Sequence, residues 1–148
     1  MTAVQPARLT LSAAAASLIG VRFQLHGRDP ATGLDCVGLC LEALSQCGCK
    51  VALPTRYGLR NSAVDHMLSA VSEQACLAPC SGPVGADEII LVRLDPIHFH
   101  LLISASGTRF IHAHASLRRI VCLRGKPPGS IIARWRINNT NSLHAGDI

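Results

Sequence analysis

Apolar positions in the first half of the chain recur at helical intervals, and in the second half they run together or alternate as strands do. Leu11, Ala14, Ala15, Leu18 and Ile19 form one stripe closed by Gly20, which predicts a helix over 9–20. Val37, Cys40, Leu41 and Leu44 stand at i, i+3, i+4 and i+7, a second helix that Asp35 caps and Gly48 stops. Loop is expected over 54–60. A third helix follows from Asn61, capped by Asn61 or Ser62, with Val64, Met67, Leu68, Val71 and Ala75 on its buried side. Strands are then expected over 88–94, 98–105, 108–115, 120–123 and 131–137, with Pro96, Ala105-Ser106-Gly107 and Lys126-Pro127-Pro128-Gly129 among the breaks. Helices followed by about five antiparallel strands argue an α+β fold. The polar tail from about Asn138 is expected to fray.

A length of 148 residues fits one domain, and 49% hydrophobic with 3% aromatic content means a core of Ala, Val, Ile and Leu. The net charge of +5 comes mainly from dispersed arginines without a basic run or interleaved aromatics, so no nucleic-acid partner is expected. No apolar run is long enough to span a bilayer. The first helix has too much alanine and no clear cleavage site for a signal peptide, so cytoplasmic synthesis without a leader is expected. Seven scattered cysteines do not resemble a secreted framework, and reduced thiols are the simpler expectation. Cys47-Gly48-Cys49 reads as a helix-ending turn rather than half a metal knuckle, and Cys76 and Cys80 as structural or incidental.

Two places carry chemistry. Cys36 falls in the first turn of the second helix, where unpaired N–H groups favour a thiolate; it is a nucleophile candidate or a small buried residue at a helix start. The strand pair around Gly107 carries His98, His100, His112 and His114. A three-residue loop pairs Ser104 with Thr108, Leu102 with Phe110, His100 with His112 and His98 with His114, so the four rings share one face. A two-residue Ser106-Gly107 turn would put His100 and His112 on opposite faces. The shared face suits a thiol peptidase, in which one histidine takes the cysteine proton and a second polar group orients it. It also suits zinc, or histidines that merely end strands.

The stretch Leu25-His26-Gly27-Arg28-Asp29-Pro30-Ala31-Thr32-Gly33-Leu34-Asp35-Cys36-Val37-Gly38-Leu39 resembles the nucleophile motif of the NlpC-type cell-wall peptidases, whose core is Asp-Cys-Ser-Gly-Leu. His100-Leu101-Leu102-Ile103 resembles that family's His-Val-Gly-Ile strand, Phe110-Ile111-His112-Ala113 its Phe-Val-His-Ala strand, and Gly85-Ala86-Asp87 its Pro-Gly-Asp. The resemblance runs from about Gly20 to Trp135 and implies a papain-like fold, with 1–148 as a single domain and the nucleophile helix packed on a small antiparallel barrel or sheet. It implies Cys36 as nucleophile, His100 as base and His112 as third polar residue. It further implies cleavage of peptidoglycan stem peptides, commonly between D-glutamate and a diamino acid, with no cofactor and no metal. Val37 stands in place of the family serine, Leu102 in place of the glycine after the base, and Gln24 in place of a tyrosine that shapes the oxyanion site. Gln24, Asp35, His98 and His114 are therefore the expected oxyanion and substrate-binding residues. The His-Gly-Arg-Asp-Pro-Ala-Thr-Gly approach resembles short phage-tail and gene-transfer-agent members, which implies particle proteins as partners and action on the wall from a particle. A zinc module on the histidine hairpin and a non-catalytic wall-binding protein are the alternatives.

Overall fold

The computed structural model describes residues 9–52 and 61–138. In chain order the elements are α1 (Leu11–Ala16), β1 (Arg28–Asp29), β2 (Gly33–Leu34), α2 (Cys36–Gln46), α3 (Asn61–Ser72), β3 (Leu77–Pro79), β4 (Glu88–Asp95), β5 (His98–Ser106), β6 (Arg109–His114), β7 (Arg119–Arg124) and β8 (Ser130–Ile137). The loop expected over 54–60, the side chains of the third helix's cap and of Val64, and the tail beyond 138 lie outside the described residues.

The first helix is shorter than its apolar stripe. Thr10 caps it by accepting the N–H of Ala13, and the Ser17 hydroxyl donates back to the Ala14 carbonyl at 2.6 Å. A serine bonded this way competes with the helical ladder, and the chain leaves through Gly20 at φ +95°. The second helix follows its sequence pattern closely. The Asp35 side chain accepts the N–H of Gly38, and Gly48 at φ +81° ends the turn after Cys47.

Six strands form one antiparallel sheet in the order β3-β8-β4-β5-β6-β7, and β1 with β2 makes a separate ribbon. The sheet is open, with β3 and β7 at its edges, and does not close into a barrel. The sixth strand, β3, was not expected: its three residues include Pro79, which cannot donate to a ladder and is tolerated at an edge. The central strand β4 is buried on both faces over Glu88–Val92, which is why its sequence is a continuous apolar run rather than an alternation. Leu91, Leu101, Ile103 and Ile111 pack toward Leu11, Leu39, Cys40 and Leu44 of the two helices. Ile90, Val92, Leu102 and Phe110 form a second, smaller core with Val84 and Leu123.

Two ties hold the layers in place. Asp87, at φ +65°, accepts the Ser12 N–H at 2.9 Å and so joins the entry to β4 with the start of α1. Cys49 and Cys76 form a disulfide, which corrects the expectation that all the thiols are reduced. The turn after α2, closed by Cys49 N–H on the Leu44 carbonyl, sends Cys49 inward to where β3 begins. That meeting depends on tertiary packing, so cysteine spacing does not reveal it. Among the described residues no helix is long and apolar enough to cross a membrane.

Candidate active site

The start of α2 is set by the segment that precedes it. β1 and β2 pair Arg28 with Leu34 and Asp29 with Gly33. Their closeness requires glycine: a Cβ on Gly27 would strike the Gly33 carbonyl, and one on Gly38 the Gly27 carbonyl. The Asp35 carboxylate then gathers three donors, the Gly38 N–H at 2.8 Å, the His26 N–H at 2.9 Å and the Arg28 guanidinium at 2.8 Å. Asp35 is buried, so its charge is balanced by Arg28 and by backbone donors. His26 adopts φ +60° to reach it, an uncommon conformation for a histidine.

Cys36 is therefore held at the first helical position, buried against β5, where the N–H groups of Leu101 and Val37 approach its sulfur. The β5–β6 ladder runs from Ser106–Arg109 to Ile103–Ile111, just short of Leu101, and α2 packs on both strands there. Burial pushes the Cys36 thiol up to about 12, with the Asp35 charge adding to the rise, against the opposing help of the Leu101 and Val37 donors and of Arg28. A helix start by itself would lower the thiol. Desolvation decides the outcome because the sulfur is buried on arrival in the helix.

The histidine hairpin keeps the expected faces but not the expected register. The turn is the two residues Gly107 and Thr108, and a bulge after Ser104 moves the pairing to Ser104–Phe110 and Ile103–Ile111. Ser104 is fixed by its hydroxyl on the Gly85 carbonyl at 2.6 Å, and by its own carbonyl, which accepts the Asp87 N–H. The extra residue is absorbed beyond that anchor. Even-numbered residues still oppose even-numbered ones, so His100 and His112 share a face and meet diagonally, Nε2 of His100 to Nδ1 of His112 at 3.0 Å. His100 is pushed down to about 4, by burial first and then by His112 and His114; His112 is also lowered, by burial and then by His114.

The other two histidines make separate hydrogen bonds. His98 holds Nδ1 against the Asp95 carboxylate at 2.7 Å in the exposed β4–β5 turn. The His114 Nδ1 accepts the Leu117 N–H, its ring 5.5 Å from that of His112. Among the described residues no group of three or more His, Cys, Asp or Glu side chains is arranged to hold a metal ion.

All four hairpin histidines nevertheless border one cleft of about 700 Å³, together with Asp35, Cys36 and Val37, and with Phe23, Leu25, His26, Leu94 and Phe99 on its walls. Gln24 borders a neighbouring pocket instead. Sequence reasoning missed the Leu101 N–H, which as a backbone group carries no sequence signal, and the ion pair of Arg28 with Asp35. The seven-residue interval between opposite charges across a turn was the available hint.

Solved structures share this architecture. An NlpC/P60 family protein from Bacillus cereus ATCC 10987 superposes with a TM-score of 0.61 at 15% identity over 88% of this chain. A protein of Staphylococcus aureus subsp. aureus Mu50, described as similar to lipoprotein, NLP/P60 family, does so with a TM-score of 0.51 at 17% identity over 92% of this chain. The chain has the NlpC/P60 fold. It spans only 40% and 43% of the length of these two neighbours. No protein-family profile matches the sequence, and no curated protein matches it.

Proposed function

We propose that this NlpC/P60-fold chain is a cysteine hydrolase that cuts amide bonds of peptidoglycan stem peptides, with Cys36 as nucleophile, His100 as base and His112 as the residue that orients the base. The observation that carries the reading is the convergence of a helix-start cysteine and a hydrogen-bonded histidine pair on one cleft. In the tautomer in which His100 donates from Nε2 to His112, its Nδ1 carries the lone pair that takes the thiol proton. With the thiol raised and the imidazole lowered, the resting pair is neutral, and the proton moves as the sulfur attacks. The leaving amine takes that proton, an acyl-enzyme remains, and water deprotonated by His100 releases the acid and restores the thiol. Of the N–H groups in the first turn, Val37 faces the sulfur, Gly38 the Asp35 carboxylate and Leu39 the Asp35 carbonyl. The Cys36 N–H is the donor left for the developing oxyanion.

The test is mass analysis of a γ-D-glutamyl–diamino acid stem peptide after incubation with the protein. Cys36→Ala and His100→Ala should each lower hydrolysis by roughly a thousandfold or more, while His112→Ala leaves a measurable remainder. Cleavage that persists in Cys36→Ala refutes the assignment. Action on the wall from a phage-tail or gene-transfer particle is part of the proposal on the strength of the His-Gly-Arg-Asp-Pro-Ala-Thr-Gly approach alone, and copurification with particle proteins tests it.

A further inference from the structure

The walls of the Cys36 cleft contain no lysine and no arginine among the described residues, and its one carboxylate, Asp35, is already paired with Arg28. The cleft alone therefore offers a substrate apolar contact and histidines but no permanent positive charge. Beside it lies a second pocket of about 560 Å³ bordered by Arg22, Phe23, Gln24, Leu25, Ala115 and Arg118. The two hollows share Phe23, Leu25 and Ala115, so they are the two sides of one ridge. Both arginines stand on a backbone clamp: the Phe23 N–H donates to the Arg118 carbonyl at 2.9 Å, the Ile120 N–H to the Val21 carbonyl at 2.9 Å, and Arg22 bridges to Arg119. Arg118 itself is held at φ +59°. Among the described residues the ion pairs of arginine are those of Arg28, Arg134 and Arg136, so neither Arg22 nor Arg118 is neutralised by a carboxylate.

We propose that the Arg22–Arg118 pocket is an anion subsite of the hydrolase, selecting substrates that carry a carboxylate a short reach from the bond attacked at Cys36. The inference rests on the hydrolase reading and adds a requirement to it. Two exposed arginines whose backbones are joined by one clamp can present several N–H donors to a carboxylate, whereas the cleft beyond the ridge presents none from arginine or lysine. The residues that hold the substrate's charge are thus separate from those that break its bond.

The test uses matched stem peptides whose glutamyl α-carboxylate, or whose C-terminal carboxylate, is free or converted to the carboxamide. Wild-type protein should favour the free acid of one pair by roughly three- to ten-fold in kcat/KM, mainly through KM, and the preference should shrink with added salt. In Arg22→Gln/Arg118→Asn the ratio should fall to about one; asparagine tolerates the left-handed backbone at 118, and thermal unfolding checks that the variant is folded. Arg22→Lys/Arg118→Lys should restore part of the ratio. Indifference of the wild type to every pair, or a preference that survives in the double variant, overturns the subsite. Binding of the same peptides to Cys36→Ala, read by calorimetry, separates the two proposals. An acid preference that depends on the arginines supports the subsite even without hydrolysis, and hydrolysis without such a preference leaves the Cys36 assignment standing while refuting the subsite.

Discussion

At the residue level Cys36 receives opposing influences. The field at a helix start and the N–H groups of Leu101 and Val37 favour its thiolate, but burial outweighs them and the thiol rises to about 12. A small alkylating agent at neutral pH should therefore label exposed Cys122 before Cys36, as peptide mapping will report; preferential labelling of Cys36 would mean that its thiolate is stabilised in solution after all. His100 moves the other way, from 6.5 down to about 4. Hydrolysis should hold level through mildly acidic conditions and fall only as His100 takes its proton near pH 4, which a profile of kcat/KM measures. The same shift bears on stability. An unfolded imidazole binds its proton near 6.5 and the folded one only near 4, so between those values the unfolded chain holds more protons. Stability is then lost as pH falls through this window, by at most roughly 3.5 kcal/mol from this residue. Urea midpoints of wild type and His100→Gln should converge toward the lower end of the window; parallel curves would show that His100 contributes nothing.

At the level of elements, the helix that carries Cys36 was legible because its information is local. Asp35 caps it, the apolar stripe gives its buried side, and Gly48 ends it, all within one short segment. The pairing of β5 with β6 was legible only in part. The alternation of residues places His100 and His112 on one face in any register shifted by two, so the shared face was readable while the partner of each residue was not. The bulge after Ser104 depends on that serine's bonds to Gly85 and Glu88, which lie 19 and 16 residues away. Asp35 also has a role that capping preference does not describe, since it joins Arg28 and the His26 backbone to the helix. Asp35→Ala should cost about 2–4 kcal/mol, because the helix cap and the ion pair with Arg28 are lost together. Asp35→Asn should cost less, keeping an acceptor for Gly38. Chemical denaturation of both variants decides this, and equal losses would mean that the Arg28 charge pair contributes nothing beyond the cap.

For the whole molecule, the division into helices followed by an antiparallel sheet could be read from the change in hydrophobic periodicity, whereas the closure could not. Whether β3 through β7 form a barrel or an open sheet depends on strands far apart in sequence, and the edge strand β3 is too short and too interrupted by Pro79 to announce itself. The Cys49–Cys76 bond belongs to the same class of long-range facts. It fastens the end of α2, whose other end carries Cys36, to the edge of the sheet across a separation of 27 residues. A loop of that size loses enough freedom in the unfolded chain to be worth about 3–4 kcal/mol on the loop-entropy account. Reduction with a thiol reagent, or Cys49→Ser/Cys76→Ser, should therefore lower the urea midpoint substantially. The start of α2 is held independently by Asp35, so hydrolysis by the still-folded fraction should persist. If reduction leaves the midpoint unchanged, the bond is not formed in solution or adds nothing to the fold. If it abolishes hydrolysis while the chain remains folded, the position of Cys36 depends on the far end of its helix, and Asp35 alone does not fix the site.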